Sequence, residues 1–326
     1  MMESFLALLS FLLLAAGATL FGLLFTGADR IAVARMQGRI GPPLLQPFYD
    51  LAKLREKEET VPAGAVGWLF RACPAVAAAA ALSLCAFVPL FGFRAPPCPF
   101  AWSGDIVFAL YLLLVPGTAM VVGGFASASP YAAIGAQREM VTMASYELPL
   151  ATAVMAFAWR LAHAGVPEPL AFASFAETPV WSLVGPLGAV GGLLLAAAVA
   201  AVVPGELGRI PFDSPEAETE LAGGLLVEYG GASLGLFHIA MAVKTVAFAA
   251  MAVAVFCPEN FGLWAPLAFF LKLGALLFVS VSLPRAAMAR LRIRNVASFY
   301  FTALGATALF GALLVVLDAF LAGGAA

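Results

Sequence analysis

Apolar runs of about twenty residues recur along the chain, separated by shorter polar stretches. A run of that length crosses the roughly 30 Å hydrocarbon core of a bilayer as a single helix. Eight runs qualify, at about residues 5–25, 68–91, 106–125, 140–159, 180–203, 234–256, 261–283 and 299–321. The pattern predicts an all-α integral membrane protein of about eight transmembrane helices, one polytopic domain over residues 1–326. An even count puts both termini on one side. The first run has no basic segment before it and no small-residue cleavage site before Asp29, which points to a retained span and not a leader. Pro116-Gly117, Pro149 and Pro186 fall inside the runs and predict kinks, which membrane helices tolerate when neighbours satisfy the freed carbonyls.

The polar stretches predict the orientation. Loops at about 26–67, 126–139, 204–233 and 284–298 carry Arg30, Arg35, Arg39, Lys53, Arg55, Lys57, Arg138, Arg209, Arg285, Arg290, Arg292 and Arg294. The opposite loops offer Arg94 and Arg160. Positive residues stay on the cytoplasmic side, so these four loops are expected there, in a cell inner membrane. Within the first of them Gly41-Pro42-Pro43 marks a turn, and from Gln46 the apolar Phe48, Leu51 and Leu54 recur at helical spacing opposite Asp50, Lys53 and Lys57. That is the pattern of an amphipathic helix lying on the membrane surface. A basic loop gripping anionic headgroups is the plainer alternative.

Composition sharpens this. Hydrophobic residues make up 63% of the chain and charged ones 11%, with a formal net charge of −2, so there is no basic face for nucleic acid. Cys73, Cys85, Cys98 and Cys257 have no CxxC or Cys/His spacing and read as small apolar residues, so no metal ligand set and no redox cofactor is expected in this chain. His163 and His238 stand beside no usable nucleophile, and no phosphate-cradling glycine loop follows a strand.

In so apolar a chain the acidic residues stand out. Glu139, Met143 and Glu147 are spaced i, i+4, i+8, which predicts one helix face, with Glu147 about two turns into a span. A carboxylate at that depth calls for a partner, and Lys244 and Lys272, each inside a span, are the candidates. The segment 204–229, PGELGRIPFDSPEAETELAGGLLVEY, gathers Glu206, Asp213, Glu216, Glu218, Glu220 and Glu228. Pro204-Gly205 is expected to end the fifth span. Asp213 with Glu216 three residues on, and Pro215 in the first turn, predicts a capped helix with Asp213, Glu216 and Glu220 on one face. Capping chemistry on a solvated helix is one reading; a row of carboxylates leading into the bilayer as a proton or cation entrance is the other. Gly223-Gly224 and Gly230-Gly231 would let other helices come close.

Several segments carry a family resemblance. Arg35, Gln37, Arg39, Gly41 and Pro42 form RxQxRxGP; Leu45, Gln46 and Pro47 are followed by Asp50, Lys53 and Leu54; Ser145, Tyr146 and Glu147 form SYE; and ExxRxPFDxxEAExEL runs from Glu206 through Arg209, Asp213, Glu216, Glu218 and Glu220 to a later Glu228-Tyr229. Together they resemble subunit 1 of respiratory complex I, a family that includes the equivalent membrane subunit of energy-converting hydrogenases. The resemblance implies a protein that holds a peripheral redox arm on a membrane arm, with loops that seal a cavity and buried glutamates that couple redox energy to proton translocation. Glu147, Glu216, Glu218, Glu220, Glu228, Glu139 and Lys244 would relay protons or charge. Arg35, Gln37, Arg39, Asp50, Lys53, Arg138, Tyr146, Glu206, Arg209, Asp213 and Tyr229 would shape the loop interface and cavity.

Departures from the quinone-using branch include the short run Gly41-Pro42-Pro43-Leu44-Leu45, Ala240-Met241-Ala242 with Lys244 close behind, and Arg292-Ile293-Arg294-Asn295. They are similar to membrane subunits of Ech-type and formate-hydrogenlyase-type hydrogenases. The resemblance then implies an anchor and coupling subunit of a NiFe hydrogenase-like complex. The NiFe centre would sit in a partner large subunit and iron–sulfur clusters in a small subunit, with antiporter-like membrane subunits alongside. A quinone-chamber subunit with Arg35, Arg39 and Arg209 as lining is the alternative, and a stand-alone secondary transporter is a further one, without the internal repeat such proteins show.

Overall fold

The structure is a computed structural model that describes residues 2–90, 105–258 and 264–323. The described residues are helices and turns, with a lone bridge between Asp105 and Ala171. Eight helical stretches are long and apolar enough to cross a membrane, from Phe5–Met36 to Ile293–Leu321. Arg94, Cys98 and the expected span limits Phe91 and Phe261 lie outside the described residues.

The helices are α1 (Met2–Met36), α2 (Gln46–Arg55), α3 (Gly67–Phe87), α4 (Ile106–Ala126), α5 (Pro130–His163), α6 (Phe172–Glu177), α7 (Pro186–Glu206), α8 (Glu218–Leu221), α9 (Gly231–Phe256), α10 (Ala265–Leu277), α11 (Leu283–Ala287), α12 (Ile293–Ser298) and α13 (Gly305–Gly323). A π-helical turn, Phe278–Ser282, joins α10 to α11, and another, Phe299–Leu304, joins α12 to α13, so each pair forms one span. The amphipathic helix is α2, with Pro47 buried and Phe48, Leu51 and Leu54 half-buried against α1 and α9.

Several boundaries move for local reasons. Helix α1 continues past the apolar run because nothing breaks it before Gly38, whose φ of +69° suits a helix C-terminus. Its 35 residues span about 52 Å at 1.5 Å per residue, well beyond the hydrocarbon core. The expected loop at 126–139 is mostly helix. Pro130 occupies the first turn of α5, where its missing N–H costs nothing, and helix-forming residues follow. Pro186 likewise starts α7 and does not kink it, leaving Val180–Ser182 as a separate 3-10 turn. Pro204 does not end α7 at once; the helix runs on to Glu206. Pro116 and Pro149 are interior, as expected.

Helix α9 is the axis of the bundle. It is buried along most of its length and packs on α1, α3, α4, α7 and α10, while α5 links α4, α7 and α13. The segment between α7 and α9 folds onto α5 as two 3-10 turns, Ser214–Glu216 and Gly224–Leu226, with the four-residue α8 between them. Two glycines allow that contact. A Cβ on Gly135 of α5 would lie 2.6 Å from the Leu225 backbone nitrogen, and one on Gly224, at φ +57°, would lie 1.9 Å from the Pro215 carbonyl oxygen.

Candidate functional site

A cavity of about 150 Å³ lies where α1, α2, α5, α9 and the 207–226 segment meet. Arg30, Asp50, Glu139, Arg209, Asp213, Glu216 and His238 line it, so three separate loop regions and the heads of two spans contribute charge to one space. Arg30 Nη1 donates to Asp50 Oδ2 at 3.0 Å, and Gln46 Nε2 donates to Asp50 Oδ1 at 2.9 Å. Burial alone would raise the Asp50 carboxyl, but these two donors outweigh it and hold it below its ordinary value of 3.8. Arg290 grips Asp213 with two bonds, Nε to Oδ1 at 2.8 Å and Nη2 to Oδ2 at 2.6 Å. Arg209 is half-exposed, and its free surface faces the cavity. Burial draws its basicity down, with Asp29 opposing, yet a guanidinium so placed stays charged.

Behind the cavity is a drier cluster. Lys244 Nζ of α9 lies 2.7 Å from Glu206 Oε1 at the end of α7, with side chains 1% and 0% exposed. The contact is one of opposed charges more than of a well-directed hydrogen bond, because both Glu206 oxygens lack a hydrogen-bond partner among the described residues. The Tyr146 hydroxyl of α5 interacts with the same carboxylate, and it too is buried without a directed partner. Glu139 is buried apart from the part of it that lines the cavity, and it feels the charges of Lys244, Glu216 and Glu206. Glu147 lies on the far side. It is exposed and lines a groove of about 200 Å³ between α4 and α5 with Val107, Tyr111, Leu114 and Met155, while its charge reaches Glu206.

Several expectations are corrected here. Neither lysine takes Glu147 as its partner: Lys244 pairs with Glu206, and Lys272 Nζ donates to the Cys257 carbonyl at 3.1 Å. Glu139 and Glu147 do not share a face, since eight residues at 3.6 per turn rotate the second by about 80° from the first. Asp213 makes no capping bond, because Arg290 occupies its carboxylate. Asp213, Glu216 and Glu220 are not on one helix. Ala217 is extended and breaks the segment into separate turns, so Asp213 and Glu216 face the cavity while Glu220 pairs with Arg138 at 2.6 Å in a different pocket. Gly223-Gly224 serve loop packing on α5 and not a helix crossing.

The remaining expected residues divide between surface and packing. Arg35, Gln37, Arg39 and Lys53 are exposed and do not line the cavity; Arg39 bonds to Gln37, and Gln37 reaches the Ala286 carbonyl at 3.5 Å. Glu228 is half-buried outside the cavity, and the side chain of Glu218 lies outside the described residues. Tyr229 is an anchor: its ring stacks on Phe70 at 4.0 Å, its hydroxyl donates to the Phe70 carbonyl at 3.0 Å, and burial pushes that hydroxyl's ionisation upward. Sequence reasoning missed Asp29, which accepts from Ser282 Oγ at 2.6 Å and from Arg285, and it read Arg290 only as part of a basic cluster. It also set aside His238, which lines the cavity. A charged residue within one turn of a span end is the only sequence signal Asp29 offers.

Comparison with known proteins agrees with this geometry. The family model described as NADH dehydrogenase matches residues 9–316. A membrane component of the NADH-quinone oxidoreductase of Geobacter metallireducens is 34% identical over 252 residues, 73% of this chain and 73% of the relative. Hydrogenase-4 component C of Escherichia coli is 35% identical over 237 residues, 72% and 70% of the two chains. Among solved structures, a chain of the archaeal membrane-bound sulfane sulfur reductase, a respiratory membrane complex, superposes with a TM-score of 0.84 at 26% identity, covering 95% of this chain and 99% of that one. A match that runs through all eight spans and the loops that close the cavity places this multi-pass membrane protein in the NADH dehydrogenase subunit 1 family.

Proposed function

We propose that this chain is the membrane anchor and coupling subunit of an energy-converting hydrogenase-like redox complex, linking electron transfer in a peripheral arm to proton or sodium translocation. The carrying observation is the series Glu216, Glu139, Lys244–Glu206 and Glu147, which leads from a charged cavity through the bundle to a groove on its outside. Ionisable groups at such depth are costly and are retained where charge has to move. The peripheral arm, with its iron–sulfur small subunit and NiFe large subunit, would dock on the exposed Arg35, Arg39, Lys53, Arg292 and Arg294. Antiporter-like membrane subunits would cover the groove at Glu147. In this reading the loops face the cytoplasm across an inner membrane.

The quinone-chamber reading is favoured by the names of the relatives and by the position of the cavity against α1, α2 and α9. Against it stand the four carboxylates in the lining, a poor match for an uncharged ring, and the close seam beside it, where a Cβ on Gly22 would come within 2.3 Å of the Ala242 carbonyl oxygen. The test is Glu147→Gln in the assembled complex, reading ions moved per hydrogen evolved. Unchanged stoichiometry sinks the relay, and quinone co-purifying with the complex, or inhibition by quinone-site compounds, favours the alternative.

A further inference from the structure

Ionisable side chains from three different spans meet behind the cavity: Glu139 on α5, Glu206 on α7 and Lys244 on α9. Lys244 and Glu206 are 2.7 Å apart and shut off from solvent, and Lys244 is the opposite charge that Glu139 feels most strongly. Glu139 alone of the trio lines the cavity. The other polar groups facing the trio are Tyr146 from α5, Tyr300 from the π-helical turn of the last span, Glu216 from the loop and Glu147 beyond Glu206. With two carboxylates and one ammonium the trio has a charge of −1, and a proton taken up at Glu139 makes it neutral. It then cycles between −1 and 0, with no bare positive charge in the dry interior.

An ammonium beside two carboxylates can do what a fixed cation cannot, namely release a proton on one side and recover one on the other. We propose that Lys244 is the proton-passing residue between Glu139 and Glu206. Glu139 takes a proton from cavity water. Lys244 Nζ then gives a proton to Glu206 Oε1, one N–H bond breaking as an O–H bond forms. The neutral amine takes the carboxyl proton of Glu139 and is an ammonium again. Glu139 is left as a carboxylate, Lys244 is unchanged, and one proton has advanced from the cavity side to Glu206. Tyr146, whose hydroxyl faces Glu206 without a directed partner, stands next on the way to Glu147.

This inference rests on the carboxylate path proposed above, and the experiment separates the two. In the assembled complex in proteoliposomes, Lys244→Arg keeps the positive charge but cannot release a proton, so proton translocation should fall roughly a hundredfold, the scale on which losing a positioned acid–base group acts. Wild-type translocation in Lys244→Arg overturns the inference. If the larger side chain prevents assembly, Lys244→Ala with added ethylamine or guanidinium replaces it. Recovery with ethylamine alone supports the relay, and recovery with both or with neither overturns it. Glu139→Gln and Glu147→Gln are measured alongside. If both translocate normally, the path itself fails; if both are inactive while Lys244→Arg is not, only the lysine step fails.

Discussion

At the scale of single residues, the same ion-pair chemistry carries very different weights. Lys244–Glu206 is sealed from water, so removing one partner strands a charge. Lys244→Met should lower stability by about 3–5 kcal/mol in detergent unfolding, and replacing both partners with apolar residues should recover much of that. Arg138–Glu220 is half open to solvent, and Glu220→Gln should cost less than about 1 kcal/mol. Asp50 adds a pH dependence. Its folded value lies below the ordinary 3.8, so its bonds to Arg30 and Gln46 stabilise the native state above that value, and the contribution is lost as pH falls through the folded value. Below about pH 4 the hold of α2 on α1 should weaken in wild type, while Asp50→Asn should show a smaller acid-induced drop in melting temperature. The charged positions themselves were legible in the sequence, because charge is rare in a chain with 11% charged residues. Their partners were not. Arg290 and Asp213 are 77 residues apart and Arg285 and Asp29 are 256 apart, and nothing local links them.

At the scale of elements, the segment after α7 is held by backbone proximity and one aromatic anchor more than by its own helix content. Gly135→Leu puts a side chain where the Leu225 nitrogen lies 2.6 Å from the Cβ position, which should cost about 1–3 kcal/mol of overpacking and lift the segment. Limited proteolysis within 214–228 reads that directly. Tyr229→Phe keeps the stack on Phe70 but loses the bond to its carbonyl, so a cost of about 0.5–1.5 kcal/mol is expected. Spans were predicted well because the bilayer imposes a length that apolar runs must meet, and α2 was predicted because its period is local. The acidic segment was misread as one capped helix because the docking of Asp213 on Arg290 and of Gly224 under Pro215 overrides the capping pattern.

At the scale of the whole molecule, the groove at Glu147 is the feature that a single chain leaves incomplete. A carboxylate facing lipid at that depth costs about 2.5–3.5 kcal/mol, which a neighbouring membrane subunit would relieve. A cysteine placed at Leu114, in the groove wall, should react with a membrane-soluble thiol reagent in the isolated chain and be protected in the assembled complex. Equal labelling would mean that the groove faces lipid in both.

By itself the sequence determined what depends on distance along the chain: eight spans of bilayer length, an amphipathic helix after the first, charge gathered in alternate loops, and a set of unusually deep carboxylates. Tertiary structure decided which of these meet. It gave Lys244 to Glu206 instead of Glu147, turned Glu147 outward, and brought Arg30, Asp50, Glu139, Arg209 and Glu216 around one cavity. The reason is physical: crossing a bilayer is a constraint each segment meets alone, whereas a buried charge takes its partner from whichever helix the packing of the bundle sets beside it.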